Sequence, residues 1–366
     1  MSRAPDKRAK ATKGTSSQRD KDTDTEPDAP LPRETTVLFG HEAAEQAFLS
    51  SYGSGRIPHS WLIGGEAGIG KATLAYRMAR FVLARPDPRS DAVQSATSLA
   101  LDPAHPTVLR IAGNAHTDLL VLERVPGDTG ALRTVITVDQ VRRIVSFFGS
   151  TAGEGGWRVC LVDSADELKS PEASNALLKM LEEPPARALF LLVSHAPGRL
   201  LPTIRSRCRR LMLKPLAAAD VAAAAAAALG PEADEAALAT AAQAAGGSVA
   251  QAIALAGGPL LALRQRVEAM LDALPTTDPN ALHALGDQLD RDRSLLGTFV
   301  GAVRDWLRHR LDVEVKQARP DRAHMAGIAD LWDKLNSSAR DVEIYNLDKK
   351  PLVFAIFGLL AEASRG

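Results

Sequence analysis

A glycine-rich turn near residue 68 constrains this chain more than any other feature of its sequence. It has the form G-x-x-x-x-G-K, and its glycines and lysine are Gly65, Gly68, Gly70 and Lys71. In such a turn the glycines let backbone N–H groups surround phosphate oxygens, and the lysine contacts the β- and γ-phosphates. The next residue is Ala72, where the motif has a Ser or Thr whose hydroxyl ligates Mg²⁺. The sequence therefore predicts a phosphate-binding fold that lacks one part of the hydrolytic chemistry.

Composition excludes several classes of protein. The 366 residues include 44 Lys and Arg against 44 Asp and Glu, so no overall field attracts the chain to nucleic acid or to a membrane. Two distant cysteines, Cys160 and Cys208, do not supply the four close ligands of a structural zinc site. The N-terminus has no apolar segment of a secretory signal, and the apolar run at 352–360 has about half the length that spans a bilayer. We predict a soluble, cytoplasmic protein with no zinc and no membrane contact, in which both cysteines are packing residues.

The pattern along the chain predicts a tail followed by three folded units. Residues 1–35 are charged and nearly free of large apolar side chains, which indicates a disordered tail. Over 36–215, short apolar runs alternate with helical periods, as in a parallel sheet with crossover helices. The alanine-rich stretch 216–258 fits three short helices. Residues 259–366 are helical throughout, and the expected core aromatics there are Trp306, Trp332, Phe354 and Phe357.

Four continuous apolar runs are the predicted strands, because runs of this kind are typical of strands covered on both faces. These runs lie at 61–63, 119–122, 159–162 and 189–193. The helix after the glycine loop places one apolar face inward, formed by Leu74, Met78, Phe81 and Val82. Another helix begins at Ser170 with Pro171 in its first turn, and Pro184 stops it. The Pro- and Ser-rich segment 86–116 is expected to be a long loop or insertion.

An aspartate at the end of the third apolar run is a second candidate site residue. In phosphate-loop enzymes the acid at this position, here Asp163, holds Mg²⁺. Aspartates are also common in loops after strands, but the glycine loop upstream favours the functional interpretation. Thr73 is a poor replacement for the missing hydroxyl, because one further helical residue points about 100° away. The candidate nucleotide-binding residues are Gly65, Gly68, Gly70, Lys71, Thr73 and Asp163.

A cluster of four arginines follows the fourth apolar run, at positions 205, 207, 209 and 210. Such a cluster is most often a solvated surface. A guanidinium held towards a neighbouring subunit's γ-phosphate is the alternative, because it stabilises the charge that develops in phosphoryl transfer. Among the four, Arg207 is the candidate for this role.

Five further motifs lie between the N-terminal part of the chain and the end of the arginine cluster: Arg56-Ile57-Pro58-His59, Val138-Asp139-Gln140-Val141-Arg142, Ser174-Asn175-Ala176-Leu177-Leu178-Lys179, Leu181-Glu182-Glu183-Pro184-Pro185 and Leu201-Pro202-Thr203-Ile204 followed by Ser206-Arg207-Cys208. Together these motifs resemble those of bacterial clamp-loader subunits, the γ/τ and δ′ chains of DNA polymerase III. The resemblance covers about residues 38–256. It implies an AAA+ phosphate-loop domain with a parallel sheet, a small helical lid domain, and an all-α collar domain that oligomerises.

The resemblance also shows which parts of the ATPase site are lost. Hydrolysing γ/τ chains carry a Ser or Thr after the loop lysine, a Glu after the strand Asp, and an Arg in the third lid helix. This chain has Ala72, Ser164 and Ala250 at those three positions, while Arg207 is kept. This combination looks most like the δ′ type. It implies a subunit that is silent in hydrolysis and donates an arginine finger to a neighbouring ATPase subunit. The zinc module that many relatives carry after the loop helix has no cysteines here.

The partners that the resemblance implies are γ/τ and δ subunits, with the sliding clamp and primer-template DNA reached through the assembled complex. ATP or ADP could occupy the degenerate loop without being hydrolysed. Two alternatives stay open. One is an ATP-hydrolysing γ/τ-like motor in which Thr73 and Asp166 compensate for the losses. The other is a plain scaffold in which Arg207 has only a structural role.

Overall fold

The N-terminal half of the chain is built on a parallel sheet. A computed structural model describes residues 29–125, 135–149, 153, 156–256, 258–292, 294–317 and 321–365. Five strands pair in the order β2-β3-β4-β1-β5, all parallel. Their bounds are β1 Ser60–Gly64, β2 Leu119–Glu123, β3 Arg158–Asp163, β4 Ala188–Ser194 and β5 Arg209–Met212. Every residue of the inner strands β1 and β4 is buried, as their apolar composition requires.

Among the described residues, seven helices cover the two faces of this sheet. They are α1 Glu42–Gly53, α2 Lys71–Ala84, α3 Asp91–Gln94, α4 Pro106–Ala112, α5 Val138–Gly149, α6 Pro171–Glu182 and α7 Pro202–Arg207. Helices α1–α4 pack on one face with Trp61 and Ile63, and α5–α7 pack on the other with Leu62 and Phe190. Successive strand residues thus enter opposite cores, because side chains alternate across a strand.

The C-terminal half is helical. Three short helices, α8 Ala218–Leu229, α9 Glu235–Ala244 and α10 Val249–Ala256, share a small alanine-rich core. Five longer helices follow: α11 Pro259–Asp272, α12 Pro279–Arg291, α13 Leu295–Val315, α14 Arg322–Tyr345 and α15 Lys349–Ala363. Their core contains the fully buried Phe299 and Phe357, with Trp306, Trp332 and Phe354 packed half-buried around it. The predicted parallel sheet followed by a helical region is confirmed, and the domain boundaries remain predictions.

The structure differs from the sequence-based expectation at three places. A fifth strand, β5, was not predicted, because Arg209 and Arg210 interrupt its apolar pattern at the exposed edge of the sheet. The segment 86–116 is not a simple loop, since it contains α3 and α4, whose Val93 and Ile111 enter the core. Helices of four and seven residues are too short for their periodicity to be visible in the sequence.

The third difference concerns the predicted disordered tail. Its residues 1–28 lie outside the described residues. Residues 29–35, in contrast, lie against α2, where the buried Arg80 guanidinium donates to the backbone carbonyls of Arg33 and Thr35, the latter at 2.7 Å. A buried arginine in the middle of α2 needs such acceptors, and this requirement orders a stretch of chain whose own composition favours disorder.

Both cysteines are buried. Cys160 is fully enclosed in β3 and Cys208 is 8% exposed. Burial raises the pKa of both thiols, that of Cys208 to about 11, so both are protonated at neutral pH and unreactive. Within the part of the chain that the structure describes, no helix combines the length and apolar character needed to cross a membrane.

Candidate phosphate-loop site and surface arginine

The glycine loop joins β1 to α2, which is the context that the motif requires. Gly65, Gly68 and Gly70 all have positive φ, at 148°, 75° and 91°, a backbone region open to glycine but strained for other residues. Gly65 lies at the base of the loop, where a Cβ would be 2.7 Å from the carbonyl oxygen of Leu213. The 14-residue helix α2 begins directly after Gly70. The loop and a helix N-terminus therefore meet where backbone N–H groups can bind an anion.

Lys71 is buried in the loop that it completes. Lys71 is only 3% exposed, and its Nζ donates to the carbonyl oxygen of Glu66. Burial lowers the pKa of Lys71 to about 8, although the carboxylates of Asp163, Asp166 and Glu66 act in the opposite direction. The ammonium group is thus partly desolvated and held within the loop, in the position from which it would contact a phosphate.

This burial gives a testable pH dependence. Because the folded pKa of Lys71 lies below its ordinary value of 10.5, the folded chain binds fewer protons than the unfolded chain between pH 8 and 10.5. The wild type should therefore gain stability as pH rises through this window, relative to Lys71→Met. We expect the difference in free energy of unfolding to change by about 3 kcal/mol, measured by urea denaturation at pH 7, 9 and 10.5. The exposed Lys214→Met is the control; a pH-independent difference for Lys71→Met would contradict the assignment.

Asp163 ends β3 beside the loop, as predicted. Burial and the neighbouring Glu123 carboxylate raise the pKa of Asp163, while Lys71 and Arg124 lower it. A carboxyl group in this state is a weaker ligand for a cation than a freely ionised one. Because Ala72 also supplies no hydroxyl, the metal-binding half of the site is incomplete.

Asp166 has a structural role that the sequence did not indicate. Its carboxylate accepts hydrogen bonds from Ser164 Oγ at 3.1 Å, Ser194 Oγ at 2.8 Å, the backbone N–H of His195 at 2.6 Å and that of Ala196 at 3.2 Å. Burial raises the pKa of Asp166, but these four donors together lower it by more. The carboxylate joins the ends of β3 and β4, and its lone pairs are occupied by the protein itself.

The lid and the C-terminal helices contact the phosphate loop directly. The carbonyl oxygen of Gly68 accepts from Val249 N at 2.9 Å, at the start of α10, and a Cβ on Gly68 would lie 2.1 Å from Ser248 Oγ. Arg308 of α13 pairs with the Glu66 carboxylate and also with Asp305 at 2.7 Å. The sequence contained no signal for these contacts, because they join segments about 180 and 240 residues apart.

A cavity of about 980 Å³ lies between the sheet and the lid. The predicted residues Gly68, Gly70, Lys71, Thr73 and Asp163 line it together with Ala250 from α10, whereas Gly65 is not in its wall. This volume suits a nucleotide, and the loop supplies the phosphate cradle. In the described residues no group of three or more His, Cys, Asp or Glu could hold a metal ion. The backbone N–H groups of the loop and the Lys71 ammonium can accommodate a phosphate group, whereas Ala72 offers no hydroxyl to a metal ion.

Arg207 lies far from this cavity. It is the last residue of α7, its carbonyl oxygen accepts from Ser60 Oγ at 2.7 Å, and Ser60 begins β1. The glycine loop follows the other end of β1, so the strand separates them by about 13 Å. The side chain is about one-third exposed and pairs with Glu182 at 2.5 Å. Arg207 therefore cannot serve the loop of its own chain, and its guanidinium is at the surface.

The other arginines of the cluster do not form one site with Arg207. Arg205 shares α7, while Arg209 and Arg210 lie on β5. The Arg209 guanidinium stacks on the Trp61 ring, 5.4 Å from its centroid. The cluster is thus divided between a helix and an edge strand.

The sheet region of the chain is similar to known proteins. Residues 40–217 match the family model described as DNA polymerase III, delta subunit. Over these residues the chain is similar to that family. The DNA polymerase III subunit delta' of Pseudomonas aeruginosa is 38% identical over 165 residues, 45% of this chain and 46% of that protein. The corresponding subunit of Escherichia coli is 32% identical over 170 residues, 46% of each.

More distant similarity extends to a second type of subunit. DNA polymerase III subunit tau of Salmonella typhimurium is 29% identical over 187 residues, 50% of this chain and 26% of that protein. The chain spans about half the length of the delta' relatives that it matches. The family-model match at residues 40–217 includes the five strands, the glycine loop and Arg207.

Proposed function

We propose that this chain is a δ′-type subunit of the replicative DNA polymerase III clamp loader. In this role it helps to load the sliding clamp onto primed DNA, together with γ/τ and δ subunits, in the cytoplasm. One observation carries the proposal: the chain keeps a surface arginine at the opposite end of β1 from a phosphate loop that lacks its own hydrolytic groups. The family-model match over residues 40–217 and the similarity to delta' subunits support the assignment.

Arg207 acts in trans in this proposal. Its guanidinium reaches the ATP of an adjoining γ/τ subunit and stabilises the charge that develops on the transferred phosphoryl group. In this proposal Arg207 is the contribution of this chain to hydrolysis, because its own site supplies neither the metal-binding hydroxyl nor the acid that would position water. Nucleotide in the 980 Å³ cavity, either ATP or ADP, is bound without hydrolysis, and no zinc is required.

The alternative of an ATP-hydrolysing γ/τ-like motor depends on Thr73 and Asp166. The structure disfavours it, because the Asp166 carboxylate already accepts four hydrogen bonds from the protein. Releasing it towards a metal or a water molecule would leave the ends of β3 and β4 without this connection. Thr73 lines the cavity, but Asp166, the carboxylate on which this alternative depends, is already occupied.

A reconstituted clamp loader tests the proposal. We expect that omitting this chain abolishes loading of the clamp onto primed DNA, and that adding it back restores loading. The purified chain should turn over no ATP, and Lys71→Ala within it should leave the DNA-stimulated ATPase of the loader within about twofold of wild type, because the catalytic sites lie on other subunits. ATP turnover by the isolated chain that is lost in Lys71→Ala would instead establish the motor.

A further inference from the structure

The ends of α6 and α7 are held together by two neighbouring residues at the start of β1. His59 Nε2 donates to the carbonyl oxygen of Leu181 at 3.0 Å, near the end of α6. Ser60 Oγ donates to the carbonyl oxygen of Arg207 at 2.7 Å, at the end of α7. Because residues 59 and 60 are adjacent and Ser60 is fully buried in the sheet, the distance between the two helix ends is determined by one rigid strand.

This arrangement places a carboxylate next to the surface arginine. Glu182, the last residue of α6, contacts Arg207 Nη2 through Oε1 at 2.5 Å, and Arg207 Nη1 donates to the carbonyl oxygen of Thr203 at 3.1 Å. The guanidinium has five N–H donors, of which these contacts take one on each terminal nitrogen. The side chain is therefore held in one orientation with donors left for another acceptor.

The pair is poorly placed to stabilise the fold. The Arg207 and Glu182 side chains are 35% and 43% exposed, and exposed ion pairs contribute little to the free energy of unfolding. Orientation of the guanidinium is a better explanation for its geometry. An arginine loses much rotamer freedom when it docks on a phosphate, and a side chain already ordered in the free subunit loses less.

We propose that Glu182 is a positioning residue for Arg207, with His59 and Ser60 setting the distance between them. The inference rests on the proposed function, in which Arg207 contacts the nucleotide of a neighbouring subunit. Glu182 itself does not touch that nucleotide. It holds the guanidinium extended from the end of α7, so that the arginine meets the phosphate already oriented.

The test is the DNA-stimulated ATPase of the reconstituted loader that contains Glu182→Gln. We expect kcat to fall about tenfold with KM for ATP unchanged, because only a preformed orientation is lost. Glu183→Gln is the matched control, since Glu183 is the adjacent exposed carboxylate and the variant makes the same charge change. Thermal melting of the isolated variants should match that of wild type, which excludes a folding defect as the cause.

A double-mutant cycle distinguishes positioning from other roles. If Glu182 acts only through Arg207, Glu182→Gln adds no further loss to Arg207→Ala. Additive losses would overturn the inference, as would an unchanged or increased kcat for Glu182→Gln alone while Arg207→Ala is strongly impaired. If Arg207→Ala itself has no effect on turnover, the result contradicts the trans arginine of the proposed function. The positioning role of Glu182 is contradicted only when Arg207→Ala is impaired and Glu182→Gln is not, so the two hypotheses are tested separately.

Discussion

Replacing Arg207 by alanine is expected to lower the DNA-stimulated ATP turnover of the reconstituted loader by about 10³-fold. An arginine finger contributes about 10³–10⁵ in rate, and 10³ corresponds to about 4 kcal/mol of transition-state stabilisation. The loss should appear in kcat, because the guanidinium acts on charge that develops only during the reaction. The control is Arg210→Ala. Arg210 is exposed on β5, three residues along the chain from Arg207, and its replacement removes the same positive charge.

The result also distinguishes the finger from a plain scaffold. In the scaffold interpretation Arg207 serves only to pair with Glu182 and Thr203 of its own chain, and Arg207→Ala leaves the loader ATPase intact. Assembly must be checked in parallel by size-exclusion chromatography of the complex. A fully assembled loader with normal turnover would refute the finger, whereas an assembled loader with turnover reduced to the level of Arg210→Ala would assign the loss to surface charge alone.

The second large effect is expected from Gly68→Ala, through the contact between the loop and the lid. Gly68 has φ of 75°, and a Cβ there would lie 2.1 Å from Ser248 Oγ and 3.0 Å from Ala250 Cβ. Ser248 Oγ, which accepts from Gln251 N, would have to give way, and Ala250 Cβ would be crowded, beside the hydrogen bond from Val249 N to the Gly68 carbonyl oxygen. We expect the free energy of unfolding to fall by about 3–4 kcal/mol, from backbone strain and overpacking together.

Gly55→Ala is the matched control for this prediction. Gly55 has φ of 70° and no atom within 4 Å of an added Cβ, so its variant measures the backbone strain alone, about 1–2 kcal/mol. The excess loss in Gly68→Ala, measured by urea denaturation of both variants, is then the contribution of the lid contact. Equal losses in the two variants would mean that the lid does not press on the loop.

The loop glycines therefore have two separate reasons to be glycine. The motif predicts them from the needs of a phosphate, which must approach the backbone closely. The structure adds that Gly68 packs against Ser248 of the lid and accepts a hydrogen bond from Val249 N. It also shows that Gly65 lies close to the backbone of Leu213. Packing against the lid and against Leu213 therefore requires glycine at these two positions independently of phosphate binding.

The sequence by itself determined the parts of this protein that depend on neighbours along the chain. The four apolar strands, the helix after the loop and the Ser170 cap, whose side chain accepts from Ala173 N at 3.0 Å, could all be predicted. Apolar runs, periodicity and capping residues act over fewer than about 15 residues. The missing groups at Ala72, Ser164 and Ala250 were also visible, because their motifs are local.

Only the tertiary structure decided which of these residues act together. It placed Arg207 and the glycine loop at opposite ends of β1, occupied the Asp166 carboxylate with four donors, and brought Glu182 to Arg207 and Arg308 to Glu66. None of these contacts has a sequence pattern, because each joins segments that are distant along the chain or depends on the order of strands in the sheet. Side-chain pairing across a fold is set by packing of the whole core, which no local window of sequence contains.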